Sequence, residues 1–158
     1  MWFFIAERVS QGAKMSHQKQ GIQVIGNHCN QELKLAICRF VKYLKTQYEF
    51  PVLLKIILCD SSELISPFDQ DTCVSFSWVP DEPTDIYRYP YILCTTGDYL
   101  KDKAKRGRDN ALAAYIHDIA KHILRYQKWL KTGSNNVYAI NIKATEILDQ
   151  YAETRDHP

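Results

Sequence analysis

The sequence has no CxxC pair. Its five cysteines, Cys29, Cys38, Cys59, Cys73 and Cys94, are odd in number and widely spaced. That excludes a disulfide framework and a zinc knuckle, and it points to a reducing compartment, the cytoplasm. No apolar run is long enough to span a bilayer. The opening MWFFIAERVS has a short apolar run with no basic region before it and no small-residue cleavage site after it, so it does not read as a signal peptide. There is no GxSxG, no P-loop, no paired Cys/His signature, no internal repeat and no low-complexity segment. The net charge is only +2, so the total does not call for an anionic partner.

What is present is a globular composition: 158 residues, 46% hydrophobic, with ten tyrosines. The length fits one compact domain with a sizeable core. Charge is unevenly spread. Asp60, Glu63, Asp69, Asp71, Asp81, Glu82 and Asp85 lie in a stretch without Lys or Arg. Residues 101–131 carry Lys101, Lys103, Lys105, Arg106, Arg108, Lys121, Arg125, Lys128 and Lys131 against three aspartates. This predicts an acidic and a basic region.

Periodicity supplies the elements. Residues 2–6 read as a short strand or helix start, and 10–20 as a connector. GIQVIG at 21–26 alternates like a strand. Asn30 is a plausible N-cap for a helix over about 30–48, with Leu33, Ile37, Phe40, Leu44 and Tyr48 at helical spacing. VLLKIILC at 52–59 reads as a central strand, 60–72 as acidic loop, CVSFSWV at 73–79 as a strand and 81–85 as a turn. YPYILCTT at 89–96 reads as a strand whose Pro90 favours its start or an edge. DYLKDKAKRGR reads as a basic connector. RGRDNALAAYIHDIAKHILRYQKWL at 106–130 reads as one amphipathic helix, with Asp109 as N-cap and Leu112, Tyr115, Ile116, Ile119, Ile123, Tyr126 and Leu130 as its apolar stripe. Thr132-Gly133-Ser134 ends it. A last helix over about 136–152 carries Ile140, Ala144, Ile147, Leu148 and Tyr151 on one face. The expected class is α+β: a small, mostly antiparallel or mixed sheet packed against three main helices. The expected organisation is a single domain, with an N-terminal extension at 1–20, a core at 21–152 and a tail at 153–158.

His117 and His122 stand five apart on the long helix, about 140° around its axis, so they cannot clamp one ion from that helix. Asp118 and His122 share a face at i,i+4. With another carboxylate such as Glu146 they could hold a metal, although a simple Asp118–His122 or Asp118–Lys121 pair is the plainer reading.

TTGDY at 95–99, RGRDNALAAY at 106–115 and YQKW at 126–129 together resemble a minimal gluzincin-like family of bacterial and phage proteins, relatives of HExxH zinc metallopeptidases. The likeness runs from the helix-then-EFPV pattern at 33–52 to the KATEILDQYA ending at 143–152. It implies a zincin-like fold. In that family the helix beginning RGRDNALAA carries HExxHYxQW, two imidazoles at i,i+4 that reach one zinc with a glutamate between them as general base. Placed without gaps on this chain, the first metal His falls on Lys121, the catalytic Glu on His122 and the second His on Arg125. The third ligand falls on Val137. Lysine and arginine offer no free lone pair at neutral pH, and valine offers no donor atom.

The resemblance with its ligands replaced implies a catalytically dead domain, without metal or cofactor, that acts by binding another protein. One version is an immunity or antitoxin protein against a bacterial toxin. The candidate partner-binding residues are Asp60, Glu63, Phe68, Asp69, Asp71, Trp78, Asp81, Glu82, Asp85 and Tyr87, acids with aromatics set to meet a basic protein. Two alternatives stand beside it. One is a nucleic-acid-binding accessory protein using the basic 101–128 region, with Tyr99 or Trp129 stacking on bases. The other is a hydrolase with a site relocated to Asp118 and His122.

Overall fold

The computed structural model describes residues 19–66, 70–81, 88–133 and 140–154. In chain order these form β1 (Ile22–Ile25), α1 (Gln31–Gln47), β2 (Leu54–Cys59), β3 (Leu64–Ile65), β4 (Thr72–Cys73), β5 (Ser75–Trp78), β6 (Tyr91–Thr95), α2 (Tyr99–Arg106), α3 (Arg108–Thr132) and α4 (Ile140–Glu153). The class is α+β. The main sheet has the order β1-β2-β6-β5, and β3 and β4 make a separate small hairpin. β1, β2 and β6 run parallel, while β5 pairs antiparallel with β6 at the edge. The sheet is therefore mixed, with β2 and β6 central.

Helix α1 starts where expected. The Asn30 side chain accepts from the Leu33 amide at 3.1 Å, satisfying one of the orphan donors of the first turn. Leu33, Ala36, Ile37, Phe40, Val41 and Leu44 form its buried stripe. β2 alternates strictly: Leu54, Ile56 and Leu58 are buried and Lys55, Ile57 and Cys59 half-buried. The period of two thus gives the sheet one face packed into the core with α1, α3 and α4.

The region 99–106, read as a basic connector, is helix α2. Its first residue, Tyr99, is fully buried, and its hydroxyl donates to Glu32 of α1 at 2.6 Å. Lys103 and Arg108 reach the same carboxylate at 2.8 and 3.1 Å. The Lys103 ammonium, then the Tyr99 hydroxyl, hold Glu32 well below the usual carboxylate range, at about 2. One acid on α1 so joins the starts of α2 and α3, a long-range contact that local pattern cannot foresee.

The long helix begins at Arg108 and not at 106. Gly107, with φ of 88°, separates α2 from α3 and stands at the cap position. Asp109 is not the N-cap; it lies in the first turn, where it pairs with Arg108 at 3.0 Å. At the other end Gly133 adopts the left-handed conformation and its amide donates to the Trp129 carbonyl at 2.8 Å, a glycine stop as read. The stripe is shifted at its last turn: Trp129 is fully buried, while Leu130 is only partly so. Trp129 Nε1 donates to the Pro80 carbonyl at 2.8 Å, and the Tyr126 hydroxyl donates to the Val52 carbonyl. α4 packs along α3 and buries Ala144, Ile147 and Tyr151. β3 and β4 fall in the stretch read as acidic loop and in the first residue of the strand read at 73–79, with Leu64 opposite Cys73, so that only Ser75–Trp78 of that strand joins the main sheet. Residues 1–18 and 134–139, where a first element, a connector and the start of the last helix were expected, lie outside the described residues.

Candidate functional site

Strand β5 lies over the middle of α3, and its alternation points Ser75 and Ser77 at that helix. Phe76 and Trp78 point to the other face, where Trp78 stacks on Tyr91 with centroids 5.6 Å apart. Beneath the two serines lie Asp118, His122 and Arg125, with Lys121 beside Asp118. They form a polar seam between a helix and an edge strand, and His122 and Arg125 are two of the positions on which the resemblance would put a zinc site.

The seam is one hydrogen-bonded chain. Arg125 Nη1 donates to the Ser77 carbonyl at 2.6 Å and to Ser77 Oγ at 2.9 Å. Ser77 Oγ lies 2.9 Å from His122 Nδ1, and His122 Nε2 lies 2.9 Å from Ser75 Oγ. The Ser75 hydroxyl donates to Asp118 Oδ2. For a neutral ring, donor counting places the protons along this chain. A carboxylate only accepts, so the hydrogen of Ser75 goes to Asp118. Ser75 Oγ then accepts from His122, so Nε2 carries the hydrogen. The neutral ring offers a lone pair at Nδ1, which takes the hydrogen of Ser77. Ser77 Oγ in turn accepts from Arg125. A guanidinium and a carboxylate are thereby linked through a neutral Ser-His-Ser bridge.

The electrostatics agree. Burial pushes the His122 imidazole down to about 4; Asp118 opposes that shift, while Arg125 and Lys121 add to it. Burial also lowers Arg125. Lys121 reaches the other Asp118 oxygen loosely, at 3.8 Å. In this arrangement His122 is not the base for Ser75: the imidazole presents its N–H to Ser75 and its lone pair to Ser77, and the acceptor of the serine proton is the Asp118 carboxylate. The seam does not fit zinc either. Both ring nitrogens of His122 are engaged, and its neighbours at the ligand positions are the cations Lys121 and Arg125, the latter donating hydrogen bonds to Ser77. Among the described residues no group of three His, Cys, Asp or Glu side chains is placed to hold a metal ion. Glu146 is exposed on α4, and Val137 lies outside the described residues.

The two histidines diverge as their spacing requires. His117 points toward α4, with Nε2 3.3 Å from Thr145 Oγ1. It also lines a cleft of about 270 Å³ between β6, α2 and α3, together with Asp98, Asp102, Arg106, Tyr115 and Asp118. Asp98 accepts from Ser62 at 2.9 Å and Asp102 from Tyr115 at 3.4 Å. Burial, with the Asp102 charge adding to it, raises the Tyr115 hydroxyl well above the usual phenol range, so it stays a donor. Cys94 is also in the wall, but burial pushes its thiol up to about 12, which makes it unreactive. Asp118 belongs to both the seam and the cleft.

Of the acidic candidates, Asp60, Glu63, Asp71 and Asp81 are exposed. Trp78 is half-buried, with the Arg88 guanidinium 5.8 Å from its ring centroid. Phe68, Asp69, Glu82, Asp85 and Tyr87 lie outside the described residues. The stacking role given to Tyr99 and Trp129 is overturned: both are 0% exposed, because each anchors its helix to the core. Ser75 and Ser77 were not singled out from the sequence. The signal was the alternation of CVSFSWV, which placed both hydroxyls on one face without saying that this face is the inner one. No family model, no curated protein and no solved structure matches this chain.

Proposed function

We propose that this chain is a non-catalytic domain built on a gluzincin-like scaffold, and that it acts by binding another protein. One observation carries the reading. At Lys121, His122 and Arg125, where the resemblance would put the catalytic zinc site, every histidine nitrogen and serine hydroxyl is used in the Arg125–Ser77–His122–Ser75–Asp118 chain. Such a seam fastens an edge strand to a helix, and His122, with both ring nitrogens engaged by the two serines, serves neither as a free zinc ligand nor as the base for Ser75. The exposed acids Asp60, Glu63, Asp71 and Asp81 favour a basic partner, of which a toxin restrained by an immunity-type protein is one case. Elemental analysis of the purified chain tests the first half of the proposal. Zinc well below one ion per chain is expected, and one ion per chain would overturn it. Co-purification from the native cell tests the second half: a basic protein recovered with the wild type should be lost when Asp60, Glu63 and Asp71 are neutralised together.

A further inference from the structure

The cleft beside the seam shares Asp118 with it, but its other residues play no part in the proposed reading. Three carboxylates, Asp98, Asp102 and Asp118, line it against one guanidinium, the exposed Arg106. Neutral hydroxyls aim all three: Ser62 on Asp98, Tyr115 on Asp102 and Ser75 on Asp118. Only Asp118 has a cationic partner within the described residues, and that is Lys121 at 3.8 Å. The carboxylates do not converge as metal ligands. They are spread around a space of about 270 Å³, room for an organic cation and not only for an ion.

The rim carries a second feature. Val74, which lines the cleft, is 61% exposed, and Ile65 on the adjoining hairpin is 66% exposed, among the largest apolar exposures in the described residues. The exposed acids Asp60, Glu63 and Asp71 flank these residues along the chain. An acidic cleft with exposed Val74 in its wall, and with exposed Ile65 and the exposed acids nearby in the chain, is complementary to a basic protein segment. A free ammonium ion would have no use for Ile65 and Val74.

We propose that this cleft is the anchor pocket of the protein's docking surface, and that it receives an arginine or lysine side chain of a basic partner lying across the β3–β4 hairpin. The proposal rests on the protein-binding reading above and names the chemistry of its partner. The cationic head would sit among the three aspartates. Its aliphatic stem would run over Val74, and flanking apolar residues would cover Ile65.

The test is a titration of the ¹⁵N-labelled full chain with the capped tripeptide acetyl-Gly-Arg-Gly-amide and with its norleucine counterpart. The arginine peptide should shift the amides of Thr95, Asp98, Asp102, Tyr115 and Asp118, and the norleucine peptide should not. Asp102→Asn should weaken binding about tenfold, the loss expected for one charge-assisted contact. Val74→Ser, at an exposed site where folding is not at risk, should weaken it less, by about threefold. Equal shifts from both peptides, unchanged affinity in Asp102→Asn, or diffuse shifts over the whole acidic surface would each overturn the assignment. Spermidine occupying the cleft more tightly than the peptide would overturn the protein partner in favour of a free polyamine. A zinc-loaded chain that still takes the arginine peptide would sink the non-catalytic reading alone. A metal-free chain that ignores the peptide would sink the cleft assignment alone.

Discussion

His122 is the residue on which the chemistry turns, because its two nitrogens face two serines and its helical neighbours are charged. Burial favours the neutral form, and in that form donor counting puts the proton on Nε2. The consequence for stability has a definite sign. The unfolded imidazole takes up a proton as pH falls below 6.5, while the folded one resists until about 4. Stability is therefore full above pH 6.5 and lost as pH falls toward 4, by at most about 3 kcal/mol. Urea unfolding at closely spaced pH values should show this arm. His122→Gln should abolish it, since an amide supplies one donor and one acceptor without titrating. An unchanged slope in His122→Gln would assign the arm to other groups. At this scale the sequence was partly legible. Lys121 and Arg125 are cations wherever they lie, so their poor fit to zinc follows from their identity. That His122 would lie between Ser75 and Ser77 depends on a contact across 45 to 47 residues, which no local pattern encodes.

Elements whose signal is periodic were readable, and elements fixed by a single distant partner were not. Helix α1, strand β2 and the body of α3 follow from apolar residues spaced at 3.6 or 2.0. Helix α2 was missed because its only buried residue is Tyr99, and what orders it is Glu32 on another helix. The orientation of β5 was the opposite of what amphipathicity alone suggests, since its serines point inward to meet polar residues of α3. The TTGDY turn shows why one glycine in it is fixed. A Cβ on Gly97 would lie 2.7 Å from the Ser61 carbonyl carbon and oxygen, backbone atoms that have nowhere to move. The Gly97 amide donates to that oxygen at 2.9 Å, and Thr96 donates twice to Cys59 alongside it. Gly97→Ala should destabilise the fold by about 1–3 kcal/mol. Chemical denaturation checks this, and a cost under about 0.5 kcal/mol would mean that the loops can separate at no penalty.

Across the whole molecule, the α+β class was legible because strand-like and helix-like runs come in clear blocks. The mixed sheet order β1-β2-β6-β5 was not, because strand pairing is decided between distant segments. Charge was legible as acidic and basic stretches, but the structure divides the basic stretch. Lys103 and Arg108 are spent on Glu32 and Arg125 on Ser77, leaving Lys101, Lys105, Arg106 and Lys131 exposed. No helix among the described residues is long and apolar enough to cross a membrane. The polar seam holds strand to helix, and in the proposed reading recognition falls to the surface beside it. Long-range ¹H–¹⁵N spectra of the His122 ring, recorded with and without one equivalent of zinc near neutral pH, test that account most directly. A neutral ring with its proton on Nε2, unmoved by zinc, is the predicted result. A zinc-dependent shift of either ring nitrogen would contradict it.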